Sequence, residues 1–255
     1  MRVNVLNRVV VEAGIVAVAL LGLSVSTYAA APPGQTRQEQ QKQRQAQKKQ
    51  DQAQARQRQQ ALVDQQQQRL TQYRDHLDQQ QRLAQPQSAQ LQQQNRRRQY
   101  AVQQQYVARL RQQQVTVQRQ APARYGRDPY FSTPANYRYS RGGQFYETNQ
   151  YGVNLLRQAV TYGYDQGYRT GQADRMDRSR ANYEGSFAYQ DANYGYSGFY
   201  VDRDDYNSYF REGFRRGYED GYGARHQYGT YVNGRGTILG SILGTILNFQ
   251  VIVRR

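Results

Sequence analysis

The sequence predicts a mainly α protein: a signal peptide, a Gln/Arg-rich helical or partly disordered arm, and a small Gly/Tyr-repeat helical module with irregular aromatic loops. Three observations predict it. An uncharged apolar run near the amino terminus ends in small residues. Residues 35–120 hold 36 Gln and no Gly. Beyond residue 150, glycines recur at every fourth position in rows that repeat. The segments read as 1–29 signal peptide, 30–120 Gln/Arg-rich arm, 121–150 Pro/Tyr/Arg linker, 151–225 repeat module and 226–255 apolar glycine-rowed tail.

Composition narrows the chemistry. The 255 residues are 37% hydrophobic, below the globular norm, and 24 of them are Tyr. With no Cys, a disulfide scaffold, a thiolate metal site and a Cys nucleophile are excluded. His76 and His226 lie far apart and read as solvated surface. No phosphate-binding loop, nucleophile elbow or zincin motif occurs. Asp202, Asp204, Asp205 and Asn207 depart from a calcium loop at Tyr206 and suit a helix start instead. The expectation is a protein that is not an enzyme, with no cofactor, no metal and no small-molecule substrate.

Arg2 and Arg8 precede the apolar run Ala13–Val25, and Thr27 and Ala29 occupy the small-residue positions before a cleavage point after Ala29, with Ala31 as an alternative. The run is shorter than the roughly 18 residues of a spanning helix. Export is therefore expected, to the periplasm, the outer envelope or the extracellular space.

The arm carries 16 Lys or Arg against five acids, so +11 of the total +16 lies within it. Leu70, Tyr73, Leu77 and Ala84 form a thin apolar seam, and Tyr106, Leu110 and Val117 a second, with Gln113 between. Pro86 is expected to divide helices near 37–84 and 88–118. A helical hairpin or weak coiled coil, and a solvated Gln/Arg tract, both fit this pattern. Arg96, Arg97, Arg98, Arg109 and Arg111 are candidate polyanion-binding residues. The following 121–150 segment, with Pro122, Pro129 and Pro134, reads as a linker of interleaved Tyr and Arg.

The repeat carries the packing prediction. Gly163, Gly167 and Gly171 match Gly213, Gly217 and Gly221, and the same register brings Tyr164 onto Phe214 and Tyr168 onto Tyr218. Spacing by four keeps residues on one helix face. Phe210, Phe214, Tyr218 and Tyr222 form an aromatic row beside the second glycine row. Glu212, Arg216 and Asp220 alternate in sign on the other face, as do Asp165 and Arg169. Each interior Gly costs a helix about 1 kcal/mol against Ala. Three per helix are sustained only if the row admits another backbone closely enough to bury the aromatics. Two helices, near 153–175 and 204–224, are predicted to pack through these faces, with turns at Asn193–Gly198 and short strands or aromatic coil between. A third row, Gly236, Gly240 and Gly244, reads as a helix packing by its small-residue face. A spanning helix and two short β-segments are the other readings of that tail.

These rows resemble the glycine zippers of small bacterial envelope proteins, most clearly at Gly236, Gly240 and Gly244. The exported Gln-rich and Gly/Tyr-repeat layout is similar to that of bacterial secreted proteins. The resemblance implies envelope association and self-packing, and it brings no catalytic residues. The expected function is an exported structural or interaction protein that self-associates or scaffolds through its Gly/aromatic helix faces. The alternative is a polyanion binder acting through the basic arm, toward lipopolysaccharide, extracellular nucleic acid, acidic glycan or a membrane surface.

Overall fold

The computed structural model describes residues 35–119 and 128–253, so the predicted signal peptide lies outside the described residues. The chain divides into two units between Asp51 and Gln52. The architecture is mainly α. No helix among the described residues is long and apolar enough to cross a membrane.

Helix α1 spans Gln35–Gln93 and α2 spans Arg97–Gln118. The expected break at Pro86 is not there: α1 runs through it. Pro86 is exposed, so the carbonyl left without its N–H partner can be met by water. The chain turns instead at Asn95, which takes a left-handed conformation with φ of 56°. The two helices then pair as a hairpin. Arg74 reaches the Val117 carbonyl at 3.1 Å, and Gln103 reaches the Ala84 carbonyl at 3.2 Å. Both thin seams are buried: Leu70, Tyr73, Leu77 and Ala84 from α1, and Tyr106, Leu110 and Val117 from α2. Gln113 fills its polar slot by bonding Tyr73 Oη and the Asn193 and Tyr196 carbonyls, so a residue that would weaken a free coiled coil is satisfied here.

The predicted linker is partly folded. Residues 120–127 lie outside the described residues, but β1 (Tyr137–Arg141) and β2 (Gln144–Thr148) form an antiparallel hairpin. Gly142 and Gly143 supply its two-residue turn, both at positive φ, which L side chains rarely adopt. The Tyr and Arg alternation is spent internally: Tyr139 stacks on Tyr146, while Arg138 and Arg141 lie over Phe145 and Tyr146.

Helices α3 (Gln150–Met176) and α5 (Arg203–Gly223) form the centre of the module. The segment between them holds no strand; it carries α4 (Phe187–Asp191), whose Phe187 and Ala188 are buried. The tail is mixed. Hairpin β3 (Gly229–Val232) and β4 (Arg235–Ile238) is followed by α6 (Gly240–Leu247) and β5 (Gln250–Val251). Strand β5 pairs antiparallel with β1, giving a sheet of order β2-β1-β5.

Candidate functional site: a glycine-rowed helix pair and its flanking clefts

Helices α3 and α5 are parallel, and each glycine row receives the backbone of the other helix. Gly163, Gly167 and Gly171 face the Phe210, Phe214 and Tyr218 carbonyls; Gly213, Gly217 and Gly221 face those of Val160, Tyr164 and Tyr168. A Cβ on any of the six would lie under 3.0 Å from a carbonyl oxygen of the facing helix. The Cα hydrogens occupy that space and point at the carbonyls, each such contact contributing about 0.5–1 kcal/mol. That offsets much of the helix cost of glycine, and the aromatic row contributes by burial. Phe210 and Phe214 are fully buried, Tyr218 is 2% exposed, and Tyr222 is half-buried with its hydroxyl on the Ser179 carbonyl.

The aromatic rows also carry an unexpected polar layer. Tyr164 donates to Asp220 at 2.8 Å, and Tyr218 donates to Asp174 at 2.7 Å, so each repeat sends one hydroxyl to a carboxylate of the other. The pattern recurs outside the pair, with Tyr106 donating to Asp191 and Tyr139 to Asp205, both at 2.6 Å. Burial, followed by the neighbouring carboxylates, pushes the Tyr164, Tyr218, Tyr106 and Tyr139 hydroxyls above their ordinary value. Burial likewise raises the Asp174 and Asp205 carboxyls. Tyr218 and Tyr139 oppose that rise, and so do Arg96 and Arg141, each 2.5 Å from its carboxylate.

Asp165 and Asp220 also order the tail. Asp165 accepts from Gly236 N at 2.7 Å, and Asp220 accepts from the Gln227 and Tyr228 amides, both at 2.9 Å. Asp220, expected on the solvent face with Glu212 and Arg216, is 1% exposed. Its sign fitted the charge row, but its place three residues beyond Gly217 and next to Gly221 puts it beside the packed glycine row, within reach of Tyr164. Glu212 and Arg216 do pair at 2.6 Å on the surface, and Asp165 pairs with Arg169 at 3.0 Å. Asp202, expected to cap α5 with its side chain, makes no cap bond and pairs instead with Arg69 at 2.6 Å. His76 is not free surface: its Nε2 is 3.1 Å from Asp191 Oδ1, whereas His226 is exposed against Tyr168.

The third glycine row behaves differently. Gly236 lies in β4, and a Cβ added at Gly240 or Gly244 would meet nothing within 4 Å. The expected packing of one helix through Gly236, Gly240 and Gly244 is therefore corrected. The Asn233-Gly234 turn commits Arg235–Ile238 to a strand, and the eight-residue α6 buries Leu247 with Ile242, Leu243 and Ile246 half-buried, which leaves its glycines outward.

The candidate polyanion residues do not form one patch. Arg96 is paired with Asp174, and Arg109 bonds Gln166 at 2.9 Å and lies over Tyr194. Arg97, Arg98 and Arg111 are exposed. One cleft borders α5, and another lies between the α1–α2 hairpin and the segment around α4. The first, of about 550 Å³, is walled by Tyr183, Tyr218 and Tyr222. The second, of about 360 Å³, is walled mainly by Gln side chains from α1 and α2. Asn182 lines both. Among the described residues, no group of three or more His, Asp or Glu is arranged to hold a metal ion. No protein-family model matches this chain, and comparison with curated proteins and with solved structures returns no match.

Proposed function

We propose that this is an exported, non-enzymatic interaction protein of the cell envelope, in which a folded aromatic module carries a basic helix that holds a polyanion. The observation that supports it most is the division of cations. Arg96, Arg109 and Arg141 are spent on Asp174, Gln166 and Asp205 within the module. By contrast, residues 38–60 of α1 carry Lys42, Arg44, Lys48, Lys49, Arg56 and Arg58 on exposed positions, against Glu39 and Asp51. Lys42 and Lys49 are seven residues apart in the helix, about 10 Å along one face. A linear polyanion can meet both, and the surrounding Gln side chains offer neutral hydrogen bonds.

Glycine packing supports a scaffold role at the level of one chain. The six glycines of α3 and α5 are occupied by each other, so their faces hold the monomer together and are not open to a second copy. Self-association would have to use other surfaces; exposed Val251 and Val253, in and just after the edge strand β5, favour that second reading.

The test is titration of the purified protein with heparin, lipopolysaccharide and single-stranded DNA at several salt concentrations. Log affinity should fall linearly with log salt. Replacing the six cations of residues 38–60 by Gln should flatten that slope and weaken binding at least about tenfold. Salt-insensitive binding, or an unchanged slope in the variant, would remove the polyanion reading. Light-scattering mass tests the second reading: a monomer that stays monomeric across concentration rejects it.

A further inference from the structure

Not every cation of the folded module is spent on a carboxylate. Asp177, just past the end of α3, accepts from Arg98 N at 3.0 Å and from Gln99 N at 2.8 Å, so the close of α3 meets the start of α2. The chain then reverses. Arg178 takes φ of 55°, its amide donates to the Arg175 carbonyl at 3.1 Å, and the Ser179 amide donates to the Asp174 carbonyl at 2.9 Å. That turn sets Arg175, Arg178 and Arg180 beside Arg97 and Arg98, which lie about eighty positions earlier in the chain. All five arginines are exposed, and none of them forms an ion pair among the described residues. Arg97 reaches only the neutral Asn95 side chain, at 3.1 Å.

The fold leaves the charge of this corner unneutralised. Residues 94–98 and 173–182 together hold six arginines and two acids. Asp174 is taken by Arg96 and Tyr218, and Asp177 by the backbone amides at the positive end of α2. Residues 83–93 and 99–108, on either side, carry no charge, and Glu219 of α5 is held by Arg215 at 3.5 Å. Guanidinium groups gathered in this way repel one another, and an anionic surface relieves that repulsion while offering phosphate oxygens to their forked donors. Two further observations say which anion fits. Met176 stands among these arginines 54% exposed. A soluble polyanion has no use for it, whereas a bilayer meets cations at its headgroups and an apolar side chain just beneath them. No aromatic residue occurs in 94–98 or 173–182 to stack on bases, and none of the five arginines lines either cleft, so no small anion is enclosed there.

We propose that this arginine corner docks the module on an anionic phospholipid surface, with the five guanidinium groups on the phosphates and Met176 in the interface. The corner shares no residue with the six cations of 38–60, so this reading and the polyanion reading fail separately. The probes are vesicles containing phosphatidylglycerol and vesicles of phosphatidylcholine alone. Co-sedimentation of the purified protein reads the gain of the first over the second. With the six cations of 38–60 replaced by Gln, that gain should persist and shrink as salt rises. Replacing the five corner arginines by Gln as well should weaken binding to the anionic vesicles at least about tenfold, and each single Arg→Gln about fivefold. Met176→Ser should weaken vesicle binding about threefold and leave heparin binding unchanged. All six side chains are exposed, so helicity should match the parent. Arg98→Gln combined with Arg180→Gln, one from each segment, carries the test if the fivefold variant fails to fold. The converse variant, with the corner neutralised and 38–60 intact, reads the arm alone on heparin. The proposal is overturned if the chain neutralised at 38–60 shows no gain, or if the corner variants bind the anionic vesicles as that chain does. It is also overturned if Met176→Ser weakens nothing, which would make the corner a site for soluble polyanions.

Discussion

Two parts of this chain carry the same spacing and use it in opposite ways. In α3 and α5, Gly163, Gly167, Gly171 and Gly213, Gly217, Gly221 press backbone against backbone. In the tail, Gly240 and Gly244 face open space, and Gly236 belongs to a strand. The difference lies in what surrounds the glycines. The first two rows sit in helices of 27 and 21 residues, each with an aromatic row alongside to bury and a partner of matching register. The third has Ile and Leu on the side that packs and only eight residues of helix. Four-residue glycine spacing is thus permission for close approach, and it becomes an interface only where a long helix meets a second glycine row.

The largest expected effect breaks the first region. Gly217→Ala places a Cβ under 3.0 Å from the Tyr164 carbonyl, and neither helix backbone can yield locally. A loss of about 3 kcal/mol or more is expected in urea unfolding, and Gly167→Ala should match it because the two glycines occupy equivalent places. Replacing Gly213, Gly217 and Gly221 together by Leu should abolish the fold of the monomer. A folded triple variant that only lost mass in solution would show instead that the rows join separate chains.

A second effect concerns the tyrosines packed around the pair. Burial raises Tyr73, Tyr106, Tyr164, Tyr206 and Tyr218 above the ordinary 10.0, and Tyr209 is pushed to about 12. The unfolded chain therefore releases these protons near pH 10 while the folded chain keeps them. Above that pH the unfolded state binds fewer protons, so stability falls as pH rises. Cooperative unfolding should set in above about pH 10, with tyrosinate absorbance and loss of helix rising together. Gradual ionisation ahead of helix loss would contradict the burial.

Smaller losses are expected from the hydroxyl layer. Tyr164→Phe and Tyr218→Phe should each cost about 1–3 kcal/mol, because Asp220 and Asp174 then lose a hydrogen bond while buried. Tyr222→Phe, whose hydroxyl reaches only the Ser179 carbonyl from a half-buried ring, should cost less. Equal effects in all three, read from urea midpoints, would mean that the carboxylate partners do not matter. The smallest effect falls in the second region: Gly244→Ala, into open space within a helix, should leave stability unchanged or raise it by up to about 1 kcal/mol.

Much of the fold was legible in periodicity. The α3 and α5 helices fall within three residues of the expected bounds at each end, and every member of the two thin Gln-arm seams is buried. These signals are local, since spacing on a helix face needs no knowledge of its partner. What could not be read was pairing between distant segments. Asp174, Asp191, Asp205 and Asp220 look like ordinary surface charge until Tyr218, Tyr106, Tyr139 and Tyr164 are brought to them. The β1–β2 hairpin was hidden behind the prolines that precede it and its own arginines, and the pairing of β5 with β1 joins residues more than a hundred positions apart.

The central claim is that the α3 and α5 glycines form an intrachain backbone seam and the tail glycines do not. Paired urea unfolding of Gly217→Ala and Gly244→Ala tests it most directly, since helix propensity alone would make both substitutions stabilising. The seam predicts opposite signs, with Gly217→Ala losing about 3 kcal/mol or more and Gly244→Ala losing nothing. Equal shifts of the same sign in the two variants would contradict it.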